Sequence, residues 1–158
     1  MPKKMHITLL LASCATAAAR DVVSFDFGWK HRTGLHWPAA PDSEPPENPD
    51  PGASPAEAQP GYDDANWTAV QLPHDALVAS APSAAACPDG CSGGSFLPRR
   101  VLWYRKEFDL PAEWAGGAIW LDFEGAFRLT TVWVNGERAA SHACGYTPFR
   151  VRLDNLTA

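Results

Sequence analysis

The chain has 158 residues, 46% hydrophobic and 11% aromatic with seven Trp, which is about one domain of length and enough apolar mass to exclude wholesale disorder. The formal net charge of −5 is unevenly spread: residues 38–98 hold nine Asp or Glu and no Lys or Arg, whereas residues 99–158 hold eight basic and seven acidic side chains. No basic cluster of the kind a phosphate backbone needs is visible, which argues against nucleic acid as a partner.

The first 19 residues read as a secretory signal peptide. Lys3 and Lys4 form a positive start, residues 7–19 a short apolar run, and Ala17-Ala18-Ala19 a small-residue cleavage site. The competing reading is a buried N-terminal helix. The run is shorter than the ~20 residues needed to span a bilayer, and no other membrane span is predicted. Secretion changes the meaning of the cysteines. An oxidising compartment favours a local disulfide between Cys87 and Cys91, which leaves Cys144 unpaired. A Cys₃His zinc set of Cys87, Cys91, His142 and Cys144 is the sharper alternative, but it lacks a C-x₂-C knuckle. Asn66-Trp67-Thr68 and Asn155-Leu156-Thr157 are glycosylation sequons, so Asn66 and Asn155 are candidate acceptors.

In chain order, Val23, Phe25, Phe27 and Trp29 alternate with smaller or polar residues and predict a half-buried strand. Residues 38–60 hold eight of the fifteen prolines and read as a disordered surface insertion. Val70 and Leu72 suggest a short strand that Pro73 ends. Residues 79–98 form a second loose stretch, carrying the cysteine pair and a Gly/Ser run. Residues 102–110 alternate with Leu102, Tyr104, Phe108 and Leu110 on one face, and Pro111 closes them. Residues 118–124 follow, with Ile119, Leu121 and Phe123 on one face. Asn135-Gly136, flanked by a first arm at 129–134, signals a type I′ hairpin because both central residues need φ > 0. Phe149, Val151 and Leu153 point one way, and Arg150, Arg152 and Asp154 the other. No useful 3.6-residue stripe occurs outside the leader, so the fold class is all-β, a sandwich or jelly roll.

Six segments in order resemble the N-terminal domain of glycoside hydrolase family 2, the β-galactosidase and β-glucuronidase group. They are Phe27-Gly28-Trp29-Lys30; Tyr62-Asp63-Asp64-Ala65-Asn66-Trp67; Leu72-Pro73-His74-Asp75; Trp103-Tyr104-Arg105-Lys106-Glu107-Phe108; Phe123-Glu124-Gly125 with Val132-Trp133-Val134-Asn135-Gly136; and Gly145-Tyr146-Thr147-Pro148-Phe149. The resemblance implies a jelly-roll sugar-binding domain over residues 20–158, galactose-binding-like, of a secreted retaining β-glycosidase, with a β-galactosidase-like wording. It implies an immunoglobulin-like domain and a (β/α)₈ barrel as partners. The barrel supplies two glutamates about 5 Å apart. No Asn-Glu pair, the family's mark beside the acid/base, occurs here. The family's last strands are missing too, so the chain is expected to be a C-terminally incomplete fragment without catalytic residues. The alternative is a stand-alone lectin-like module that stacks sugar on exposed aromatics.

His74-Asp75 is the candidate site. As chemistry, the pair could form a general base if a turn brings the two side chains together. By resemblance, the loop after it faces the barrel, which makes His74 and Asp75 substrate-binding candidates for a β-glycoside. The bland reading is a structural turn with Asp75 accepting backbone N–H groups. Asp122 and Glu124 lie about 7 Å apart at strand spacing and read as an exposed face. No cofactor or metal is expected.

Overall fold

A computed structural model describes residues 20–33, 54–82, 101–114, 116–127 and 129–153. The leader, Cys87, Cys91 and Asn155, and most of the 38–60 and 79–98 segments, lie outside the described residues. Within them the protein is all-β. Seven strands run β1 (Trp29–Thr33), β2 (Thr68–Val70), β3 (Leu102–Arg105), β4 (Trp120–Phe123), β5 (Thr130–Val134), β6 (Glu137–His142) and β7 (Phe149–Arg152), with 3₁₀ turns at Ala56–Ala58 and Ala112–Trp114. They form three antiparallel groups: β2-β1-β3, β4-β7 and β5-β6. No described helix is long and apolar enough to cross a membrane.

The opening hydrophobic alternation is not a strand. Pairing begins only at Trp29, and Val22, Val23 and Phe27 are exposed. Gly28 has φ +76°, which turns the chain out of the extended run before any ladder starts. Phe25 alone turns inward, edge-on to Trp29 and Phe108 at 5.7 and 4.8 Å. The same bend shortens the strand expected at 102–110. Its pairing with β1 stops at Lys30↔Arg105, so β3 is four residues long.

The later elements follow the sequence pattern closely. β4 buries Leu121 and Phe123 partly and exposes Asp122, while β7 buries Val151. Asn135 and Gly136 have φ 51° and 85°, as a type I′ turn requires. Aromatic contacts tie the groups together. Trp103 of β3 is buried and meets Trp133 of β5 at 5.5 Å, so Trp133 belongs to the core side. His142 of β6 stacks on Phe149 of β7, which stacks on Phe123 of β4 at 4.4 Å. Trp67, Trp103, Val151 and Leu153 are the buried hydrophobic residues among those described.

The tail of the proline-rich segment is ordered, against the expectation for 38–60. Residues 54–60 make the turn at Ala56–Ala58, and the carbonyls of Glu57 and Gln59 each accept from Arg105 at 3.1 Å. The Ser54 hydroxyl donates to the Gly136 carbonyl, and Gln59 donates to Ser54 at 2.7 Å. The segment thus clasps the hairpin turn onto β3. Those backbone carbonyls gain charged donors, which offsets part of the cost of ordering the segment.

Candidate functional site

Alternation along β1 and β3 sends neighbouring side chains to opposite faces of the three-stranded sheet. Register places Lys30 beside Arg105, and His31 beside Tyr104. Two polar clusters result, one on each face.

The first cluster gathers three of the sequence segments. Asp64 accepts from Lys30 Nζ and from Arg105 Nε, the latter at 3.1 Å. Arg105 also donates to Glu107 at 3.0 Å and to the two carbonyls above. The carboxyl of Asp64 is held below the usual carboxylate range, first by the Lys30 hydrogen bond and then by the surrounding positive charge. Lys106 lies 3.5 Å over the Phe25 ring and donates to the Phe25 carbonyl; its ammonium is weakened mainly by burial. Gly28, Lys30, Asp64, Arg105, Lys106 and Glu107 line a cleft of about 210 Å³. Lys30, Asp64, Arg105 and Glu107 are committed to one another and Lys106 to Phe25, so the cluster is a clasp between strands. Sequence reading missed it, although the signal was present: charges interleaved among the aromatics of three separated segments.

The second cluster surrounds His74. The loop following the cis Leu72–Pro73 peptide brings the imidazole over the sheet. His74 Nδ1 lies 2.9 Å from the Tyr104 hydroxyl, and that hydroxyl donates to the His74 carbonyl at 3.4 Å. Which of the two donates in the 2.9 Å contact is set by the His74 tautomer. The His31 ring lies 5.0 Å from the His74 ring and 5.1 Å from that of Tyr104. His31 is the buried polar residue among those described, and its Nε2 meets the Thr33 hydroxyl at 3.1 Å. Burial, and then the neighbouring His74, pull its ionisation down. Burial, followed by the Asp75 charge, pushes that of Tyr104 up. Asp75 accepts from the Leu77 N–H at 2.9 Å, an Asx turn. The carboxylate therefore braces the loop, and His74 takes Tyr104 as its hydrogen-bond partner. His31 and Tyr104 were not among the sequence candidates; only the strand register reveals them.

The other candidates separate. Asn66 is exposed beside buried Trp67. Asp122 pairs with Arg150 at 2.8 Å and with Arg20 at 3.2 Å on an exposed face. His142 stacks on Phe149 and bonds Thr147 at 2.8 Å, and Cys144 is an exposed thiol. No group of three or more His, Cys, Asp or Glu among the described residues could hold a metal ion.

No family model matches the chain. A β-galactosidase, BoGH2A, of Bacteroides ovatus is 36% identical over 96 residues, covering 61% of this chain. A putative β-glucuronidase of Formosa agariphila is 28% identical over 97 residues, also 61% of this chain. Among solved structures, a β-glycosidase from Bacteroides vulgatus superposes with a TM-score of 0.66 over 86% of this chain, at 27% identity. The chain resembles the N-terminal domain of family 2 glycoside hydrolases. It spans only 11% and 9% of the two curated relatives and 15% of the solved β-glycosidase. The six family 2 segments thus acquire physical roles. Lys30, Asp64 and Arg105 lock strands together, Asn135-Gly136 turns a hairpin, and the segment at 72–75 starts the loop carrying His74.

Proposed function

We propose that the chain is the non-catalytic sugar-binding domain of a secreted retaining β-glycosidase, and that the loop at 73–80 forms part of the wall against which the glycoside sits. His74 and Asp75 are the substrate-binding residues of this reading. The observation that carries it is the 36% identity to a β-galactosidase over 61% of the chain. The site supports it chemically. The exposed His74 imidazole is held by Tyr104, and the exposed Asp75 sits beside it, so two polar groups stand in fixed positions to meet hydroxyls. Hydrolysis belongs to two glutamates on a barrel domain, a partner of this one. Secretion, a glycan on Asn66 and a Cys87–Cys91 disulfide complete the proposal.

Calorimetric titration of the 158-residue chain with β-galactosides and β-glucuronides tests it, alongside a release assay for glycoside hydrolysis. Expected are weak binding that drops at least about fivefold in H74A, an effect of one lost hydrogen bond, and no hydrolysis. Binding unchanged in both H74A and D75N would overturn the placement of the site. Hydrolysis by the purified chain would overturn the non-catalytic role.

A second reading, a lectin-like module without an enzyme partner, is favoured by one observation. Phe127 and Tyr146 are 68% and 84% exposed and meet edge to face at 5.4 Å, a ready surface for the CH face of a sugar. Under that reading Y146A abolishes binding and H74A leaves it intact.

A further inference from the structure

We propose that His31, His74 and Tyr104 form a proton-operated latch, which holds the 73–80 loop on the sheet at neutral pH and releases it when His31 is protonated. This rests on the reading that the loop is the sugar-facing element, and it adds how that element would be regulated.

The geometry supplies a fixed half and a movable half. His31 is anchored in β1, flanked by β2 and β3, with Thr68 opposite it on one side and Tyr104 on the other. His74 is exposed and sits on the loop. The loop's described ties to the sheet at this point are the Tyr104 hydroxyl contacts and the ring packing against His31. At its start, the Leu72 N–H donates to the Asp26 carbonyl at 2.9 Å.

The charge balance decides what protonation does. Among the described residues facing the pair, β3 brings the neutral phenol of Tyr104, β2 brings uncharged Thr68, and the loop brings His74 and Asp75. On β1 itself, Lys30 and Arg32 alternate to the other face. The Asp75 charge acts on Tyr104, while the charge acting on His31 is that of His74. A proton on His31 places a cation in a buried position. Among the described residues no carboxylate accepts from it, and the Thr33 hydroxyl is its partner. An unpaired buried cation is costly, so protonation favours the state in which the His31 ring meets water. β1 is held by two ladders, so the loop is the part free to move.

The sign follows. His31 ionises below the ordinary histidine value of about 6.5 in the closed state. The open state therefore binds more protons in the window between the two values. Closure is fully favoured above about pH 6.5 and is lost as pH falls through the closed-state value. The device thus makes the loop open at mildly acidic pH.

Native-state amide hydrogen exchange on the whole chain, at about pH 7.5 and about pH 5 and corrected for intrinsic rates, tests this. The loop amides at 74–80 are expected to lose protection at the lower pH, while those of β4 and β7 do not change. H31F fills the same buried space without a titrating group and is expected to keep the loop protected at both values; H31Q serves if H31F folds poorly. Unchanged protection in the wild type, or the same loss in H31F and H31Q, would overturn the latch. No sugar enters this measurement. Failure of the carbohydrate reading would show instead as absent glycoside binding with the exchange behaviour intact.

Discussion

Asp64→Ala removes the acceptor that Lys30 and Arg105 share, and its cost can be worked from the surroundings. The side chains of Asp64 and Arg105 are 14% and 12% exposed, so the guanidinium would lose a charged partner while staying largely out of water. Removing one partner of a fully buried pair costs about 3–5 kcal/mol, whereas an exposed pair is worth about 0–1 kcal/mol. Arg105 keeps Glu107 and the carbonyls of Glu57 and Gln59. The expected loss therefore falls between these limits, at about 2–3 kcal/mol. Lys30, 42% exposed, accounts for less than about 1 kcal/mol of it. Urea unfolding of the wild type, D64A, K30A and the double variant measures both quantities, the pair by its coupling energy. The acid limb gives an independent check. Because the folded carboxyl ionises below its unfolded value, its stabilisation is present above about pH 3.9 and is lost as pH falls through the folded value. D64A should flatten that limb. A loss below about 0.5 kcal/mol, the size of an ordinary surface change, would refute the clasp.

Gly136→Ala forces a side chain into φ +85° with its Cβ 2.9 Å from Gln59 Oε1; a loss of about 1–2 kcal/mol is expected in thermal unfolding. Val151→Ala, at a position 2% exposed, should cost about 2 kcal/mol in the same measurement. At Gly145 an added Cβ would lie 2.3 Å from the Phe127 ring. Gly145→Ala should therefore displace Phe127 and abolish its nuclear Overhauser contacts with Tyr146, while the chain stays folded.

Much of the fold was legible because strand periodicity and turn chemistry are local. Asn135-Gly136 and the alternation at Phe149, Val151 and Leu153 carry their own evidence. The run from Val23 to Trp29 misled because alternation shows that a strand could form, not that a partner lies beside it. Gly28 turns the chain away first. The same bend trimmed β3 at Arg105, a consequence far along the chain from its cause at Gly28. For the site, the segment at 72–75 was visible as a candidate, and the brace from Asp75 to Leu77 follows from the habits of Asp in turns. The partnership of His74 with Tyr104 and His31 was not visible, since it depends on a cross-strand register set by pairing. Lys30, Asp64 and Arg105 were in view as motif letters, but their convergence on one ion network is a tertiary fact.

Amide chemical-shift mapping of the 158-residue chain with a β-galactoside tests the central claim most directly. The largest changes are expected at residues 73–80 and Tyr104, with no product formed during the titration. Changes confined to the neighbourhood of Phe127 and Tyr146, or none at saturating sugar, would contradict it.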